Sequence, residues 1–276
     1  MKGLCFPVAT PDTQDPGMLA LRGDLATSFS VLAELGYAGA ELMVRDVREL
    51  PVREIARMAR DYGLVIPAVS TGQCRKEDGL QLCSPDSTLR RRSVDRVREV
   101  LDFAAELEAL VNIGTLRGTL PDRSLGVESL VELLAHSPKI AVEPQCKWVS
   151  NWIQTVDEAL ELIGECGGLS ILFDVYHAEL EEASVPAAMV RAGEKISWVQ
   201  FSDSNRKAPG WGHWNFGEYE RMLSAVGYQG YVSVECLPWP SAAEAAAQAM
   251  QWLVPRGLYA CPPSRAALAA PDRQPE

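Results

Sequence analysis

Histidine is scarce in this chain. Only His136, His177 and His213 occur in 276 residues, which excludes sites that need several imidazoles, multinuclear zinc centres foremost. Positive charge is also in short supply: 26 Lys and Arg stand against 37 Asp and Glu, a net charge of −11. A face that neutralises phosphates needs clustered cations, and the densest basic run, Arg90-Arg91-Arg92, reads as the solvated face of a helix start. Nucleic acid and anionic membrane surfaces are therefore excluded as partners. Cys5, Cys74, Cys83, Cys146, Cys166, Cys236 and Cys261 include no CxxC pair, so neither a zinc cage nor a disulfide framework is expected, and they read as reduced, mostly buried thiols. No apolar run reaches the length of a membrane span. Residues 1–10 lead into an apolar strand with no charged leader or cleavage site, and the expectation is a soluble, cytoplasmic protein.

What is present is ordinary globular material, 47% hydrophobic and 23% charged. Short apolar runs alternate with stretches of helical period, the mark of βαβ units around a parallel sheet. Strands are expected at residues 2–7, 39–44, 65–70, 110–115, 140–143, 170–174, 198–202 and 231–237. Helices are expected at 25–35, 52–62, 93–107, 127–135, 155–166, 185–194, 216–226 and 242–253, several of them stopped by Gly36, Gly63, Gly167 or Gly227. Eight such pairs in about 250 residues predict a single (β/α)₈ barrel, an α/β fold, rather than an open doubly wound sheet. The barrel domain is expected over residues 1–257. The Pro- and Ala-rich stretch 258–276 is too poor in apolar residues to fold alone and is expected to be a flexible tail.

Barrels of this kind place their chemistry at the carboxyl ends of the strands. Four consecutive runs end on, or carry, a polar residue: Ile140-Ala141-Val142 runs into Glu143-Pro144, and Ile171-Leu172-Phe173 into Asp174 with His177 three residues on. Gln200 lies within Trp198-Val199-Gln200-Phe201, and Val232-Ser233-Val234 runs into Glu235. Adjacent strands lie about 4.8 Å apart, so side chains at one level on neighbouring strands can converge on a cation. Three buried carboxylates without one would repel each other and be driven to protonate.

These residues carry a resemblance. Glu143-Pro144, Asp174-x-x-His177, the run Gln200-Phe201-Ser202-Asp203-Ser204-Asn205-Arg206 with Pro209-Gly210 and Gly212-His213, and Val234-Glu235 together resemble the sugar phosphate isomerase/epimerase family of xylose-isomerase-like TIM barrels. Gly36-Tyr37-x-Gly39-x-Glu41 and Ile113-Gly114-x-Leu116-Arg117-Gly118 extend the similarity over about residues 1–255. Keto-sugar 3-epimerases and 5-keto-gluconate-type epimerases are the most similar subgroups. The resemblance implies that Glu143, Asp174, Gln200 and Glu235 bind one divalent metal and that His177 and Arg206 face substrate oxygens. Gln200 stands where these epimerases usually have His, and matches hydroxypyruvate isomerase and 3-dehydroshikimate dehydratase instead.

With Gln at that position all four donors are oxygens, which favours Mn²⁺ or Mg²⁺, with Co²⁺ also compatible. A divalent ion beside a ketone and its α-hydroxyl polarises the carbonyl and stabilises an enediolate. Glu143 and Glu235, as catalytic acid/base groups on opposite sides of the α-carbon, could then lift the proton on one face and return it on the other, which is epimerisation. The same parts could perform an aldose–ketose shift, or dehydrate a β-hydroxy-ketone of the 3-dehydroshikimate or inosose type. Arg117 and Glu41 read either as substrate contacts or as structural charges, His213 as a substrate contact or as part of an aromatic loop, and Lys147 and Trp148 as pocket rim. His136 reads as a solvated helix-end residue. The function expected is a metal-dependent isomerase or epimerase of a small, unphosphorylated keto-sugar or related hydroxy-ketone, from a barrel that can assemble as a homodimer or homotetramer. Against it stand a nuclease of the endonuclease IV type, opposed by the three histidines and the charge of −11, and a non-enzymatic barrel, opposed by the retained carboxylates, His177 and Arg206.

Overall fold

The computed structural model describes residues 1–119 and 122–256, so the stretch expected to form a tail, 258–276, and Cys261 with it, lie outside the described residues. Within them the alternation of apolar runs is realised as eight parallel strands closed in sequence order into a barrel. Its first half comprises β1 (Gly3–Ala9), α1 (Leu25–Leu35), β2 (Gly39–Met43), α2 (Val52–Asp61), β3 (Val65–Ser70), α3 (Gly72–Asp78), α4 (Ser87–Glu106) and β4 (Leu110–Ile113). The second half comprises α5 (Arg123–Leu134), β5 (Ile140–Val142), α6 (Val156–Cys166), β6 (Ser170–Asp174), α7 (Val175–Glu181), α8 (Val185–Ala192), β7 (Ile196–Gln200), α9 (Phe216–Ala225), β8 (Tyr231–Ser233) and α10 (Ala242–Leu253). Pairing of Gly3 with Tyr231 closes the ring. No helix among the described residues is long and apolar enough to cross a membrane.

Local chemistry sets the element ends. The α1 helix starts where Asp24 accepts the Thr27 amide and stops at Gly36, whose φ of 86° is a left-handed conformation that costs glycine little. The α4 helix begins at Ser87, six residues before the expected start, because Asp86 caps the Thr88 and Leu89 amides; Arg91 in its first turns pairs on the surface with Glu132. Two short helices were not expected from periodicity. In α7, Asp174 at the end of β6 accepts the Tyr176 amide and so starts a helix at once. In α3 the sequence Gly72-Gln73-Cys74-Arg75-Lys76-Glu77-Asp78 has almost no apolar residue to show a period. Strand β8 ends early: Val234 still donates to Cys5, but the Leu237 amide turns to the Arg206 carbonyl.

Two apolar layers hold the barrel. The larger lies between strands and helices, with Phe29, Leu32, Val97, Leu133, Leu162 and Leu223 all fully buried. The smaller fills the interior: Cys5, Ala68, Ala141 and Leu172 leave room for the indole of Trp198. Buried Trp needs a partner for its N–H, and Trp198 Nε1 donates to Glu41 Oε2 at 3.3 Å. This pair forms the floor on which the polar residues at the strand ends stand.

Candidate active site

The register brings Asp174 and Gln200 side by side at the ends of β6 and β7, and sets Gln200 opposite Ser233 of β8. Glu143 follows β5, and Glu235 lies two residues beyond β8. A cavity of about 450 Å³ opens over them, lined among others by Glu143, His177, Arg206 and Glu235, within the usual size for a small-molecule site.

Arg206 is the central cation. Its Nη1 donates to Asp174 Oδ2 at 2.7 Å and to Ser202 Oγ at 3.0 Å, and its Nη2 donates to Glu235 Oε2. The guanidinium also stacks 4.7 Å from the centre of the Tyr176 ring. Reaching this position puts the Arg206 backbone at φ 60°, a strained left-handed conformation for a non-glycine residue. Burial works against its charge, but Asp174 and Glu235 outweigh that and hold the guanidinium above its ordinary pKa.

Burial, followed by the charges of Glu235 and Asp174, pushes the Glu143 carboxyl well above the usual range. Burial also raises Glu235, to about 8, with Arg206 opposing and Asp174 and Glu41 adding to the rise. His177 is driven the other way by burial, to about 4, so its ring is neutral. Its Nε2 lies 3.6 Å from Glu143 Oε1 and 3.7 Å from Asp174 Oδ2, while Nδ1 is buried without a partner. Glu143 is also held by Gln145, whose Nε2 donates to Oε2 at 2.8 Å. Gly114 leaves room beside it, since a Cβ there would lie 2.6 Å from that same carboxylate oxygen and force it to shift.

The arrangement fits a hard divalent cation. One ligand atom each of Glu143, Asp174 and His177 lies within 4.8 Å of the others. Gln200 donates from Nε2 to both oxygens of Glu41, at 3.0 and 3.2 Å, which leaves its Oε1 buried and without a partner. An orphaned amide oxygen costs on the order of 1–3 kcal/mol unless a donor or cation meets it. Glu143, Asp174, Glu235 and Gln200 supply the oxygen donors such an ion prefers.

Three residues weighed as substrate contacts stand away from the cavity wall. Arg117 is fully buried, and its guanidinium is taken up by the backbone carbonyls of Trp152, Gly114 and Ile153 at 2.8 to 3.1 Å; the tight turn after β4 points it inward. Glu41 lies beneath the site, where it accepts from Ser70, Trp198 and Gln200 and so orients the Gln200 amide. His213 is exposed and shares a hydrogen bond with Ser204 Oγ at 2.9 Å. Of the two residues expected at the rim, Trp148 is 79% exposed and its ring carries the Lys147 ammonium, whereas Val149, the next residue, lines the cavity.

Around the same cavity sit residues that sequence reasoning passed over: Ser70, Gln73, Arg75, Asn112 and, beside Glu143, Gln145. Gln73 Oε1, Asn112 Oδ1 and Gln145 Oε1 are buried acceptors with no partner. The signal available for them was position alone, polar residues just after β3 and within β4 on the face where barrels keep their sites.

Comparison with known proteins identifies the family of the barrel. Residues 29–256 match the xylose isomerase-like TIM barrel family. The chain is 25% identical over 226 residues to a D-psicose 3-epimerase of Enterocloster bolteae, covering 74% of each chain. It is 26% identical over 229 residues to an L-ribulose 3-epimerase of Mesorhizobium japonicum, covering 78% of this chain and 76% of the other. In three dimensions it is similar to D-psicose 3-epimerase from Clostridium cellulolyticum H10, solved with D-tagatose, with a TM-score of 0.76, 19% identity, and coverage of 97% of this chain and 100% of the other.

Proposed function

As the chain belongs to the xylose isomerase-like TIM barrel family, we propose that it is an epimerase of a small keto-sugar, inverting the carbon next to the ketone by removing and returning its proton. The observation that carries this reading is that Glu143 and Glu235, from strand ends on either side of Asp174 and Gln200, line one cavity and are both raised out of the ordinary carboxylate range. A carboxyl tuned upward is a better proton acceptor at neutral pH than an exposed one, and two such groups on opposite sides of a carbon suit inversion. Relatives named D-psicose and L-ribulose 3-epimerases support a ketose as the substrate and C3 as the carbon.

A divalent ion held by Glu143, Asp174, Gln200 and Glu235 would polarise the ketone and offset the charge that grows on its oxygen as the proton leaves. The remaining work falls to the chain. Arg206 and the neutral His177 are placed to donate hydrogen bonds to the substrate's ketone and hydroxyl oxygens. The orphaned amide oxygens of Gln73, Asn112 and Gln145 suit the hydroxyl donors of a polyol, which would satisfy acceptors that the fold leaves bare. Tyr176 stacks on Arg206 and limits where its guanidinium can lie.

The test is incubation with ketopentoses and ketohexoses in deuterated water with Mn²⁺ bound. Formation of the C3 epimer with deuterium at C3 is the expected result. Binding of Mn²⁺ with neither epimer nor exchange from any ketose would sink the reading, and release of water from a β-hydroxy-ketone would replace it by dehydration.

A further inference from the structure

One cation that lines the cavity has no ion-pair partner among the described residues. Three basic residues line the cavity, Arg75, Lys76 and Arg206. Lys76 is paired with Asp15 at 2.6 Å, and the charge of Arg206 is already balanced by Asp174 and Glu235. Among the described residues no hydrogen bond or ion pair is made by the Arg75 guanidinium, although its Nη1 is buried. In a chain with a net charge of −11, carboxylates able to pair with an arginine are plentiful. One left bare at a cavity wall is therefore a feature of the site rather than a shortage of partners.

A guanidinium offers two parallel N–H donors that match a carboxylate, and a half-buried, unpaired one such as that of Arg75 attracts an anion more strongly than a fully solvated one. The geometry points to Arg75 as the recognition site for a carboxylate at the end of the substrate remote from Glu143 and Glu235, so that the preferred substrate is a keto-sugar acid rather than a neutral ketose. One unpaired cation suits the single charge of a carboxylate better than the near-double charge of a phosphate ester. The same wall supplies Gln73 and Asn112 for the hydroxyls in between. This assignment rests on the epimerase reading above and adds the class of substrate to it.

The experiment compares kcat/KM of the Mn²⁺-loaded, full-length enzyme on three substrates of equal chain length: a neutral ketose, the ketose with a terminal carboxylate, and its terminal phosphate ester. The acid is expected to be preferred over the neutral sugar by about 10-fold or more, and Arg75→Gln to reduce that ratio about 10- to 100-fold through KM of the acid. Arg75→Lys should recover part of the preference, which a merely structural arginine would not show. Equal loss on neutral and acid substrates in Arg75→Gln, or a wild-type enzyme that uses the neutral ketose as well as the acid, overturns the assignment and leaves the epimerase reading standing. A best rate on the phosphate ester overturns the carboxylate. Turnover of none of the three, with metal bound, overturns the epimerase reading and this one with it.

Discussion

The two sides of the barrel mouth are built on opposite plans. After β5 to β8 the charged groups answer one another: Arg206 joins Asp174 to Glu235, and Gln145 steadies Glu143. After β3 and in β4 it is a charged group that stands alone, Arg75 Nη1, beside the bare amide oxygens of Gln73 and Asn112, whereas on the first side the atoms left bare, Gln145 Oε1, His177 Nδ1 and Gln200 Oε1, are uncharged. The first side is a preorganised electrostatic unit that exists before anything binds. On the second, Arg75 Nη1 has no partner within the described residues. In the proposed reading the division is one between chemistry, which gains from groups already in place, and recognition, where a protein group left unpaired penalises the wrong ligand.

Substitutions should therefore act differently on the two sides. The largest effect is expected from Asp174→Ala, which removes a carboxylate that also anchors Arg206: Mn²⁺ binding should be abolished and activity lost by about 10³-fold or more, with the circular dichroism spectrum retained. Isothermal titration with Mn²⁺ checks it, and wild-type affinity in the variant would remove Asp174 from the ligand set. Next comes Glu235→Gln, where net epimerisation should fall by about 10²-fold or more while Glu143 still washes deuterium into the substrate from its own face. Metal content measured in parallel separates loss of the base from loss of the ion, and Glu143→Gln should give the mirror-image labelling. On the other side, Asn112→Ala is expected to raise KM about 10-fold with little change in kcat, because it removes only an acceptor for the bound substrate; a fall in kcat of the same size would erase the distinction between the sides. The smallest change is expected from Gln200→His, which keeps the site but moves its preference from Mn²⁺ toward Zn²⁺ by a few-fold, since imidazole nitrogen is softer than an amide oxygen. Competition titrations of the two metals on both proteins decide it.

A control outside both sides comes from Asp46. Hydrogen bonding by Arg48, with the charge of Arg96, lowers its carboxyl to about 2. A depressed carboxyl stabilises the fold above the pKa of the unfolded chain and loses that contribution as pH falls through the folded value. About 2 kcal/mol of stability is expected to disappear between roughly pH 4 and 2, and to be missing at pH 7 in Asp46→Asn; urea titrations at the two pH values check both.

The same division explains what could be read from the sequence. The second-half residues announce themselves because each ends or interrupts an apolar strand run, as Asp174 does after Ile171-Leu172-Phe173, so a polar residue stands out against its neighbours. The barrel itself was legible for the same reason, and the closed ring of eight strands matches it. Asp174 and His177 are one helical turn apart, yet the helix that brings them together is only seven residues long and starts on the capping carboxylate itself, too brief for a period to register. Gln73 and Arg75 were missed because α3 is polar nearly throughout, so nothing in the pattern separates a residue facing a cavity from one facing water. Arg117 was ambiguous for a different reason: a charged residue after a strand suggests the surface, and its burial depends on carbonyls of Trp152 and Ile153, 35 and 36 positions away.

Trp198, 2% exposed, plugs the barrel beneath Glu41 and walls the mouth off from a second cavity at the opposite end, lined by Lys2, Leu110 and Tyr231. The site is therefore a cul-de-sac. In the proposed reading, a sugar seated in the cavity stands as a cork between the mouth and Glu143 and Glu235 and slows the access of bulk solvent to them. Label from the medium would enter the product mainly during moments when the cork is loose, so the share of product formed without label becomes a clock for how long each substrate stays. Opening the floor with Trp198→Ala would spoil that clock before it spoiled the chemistry.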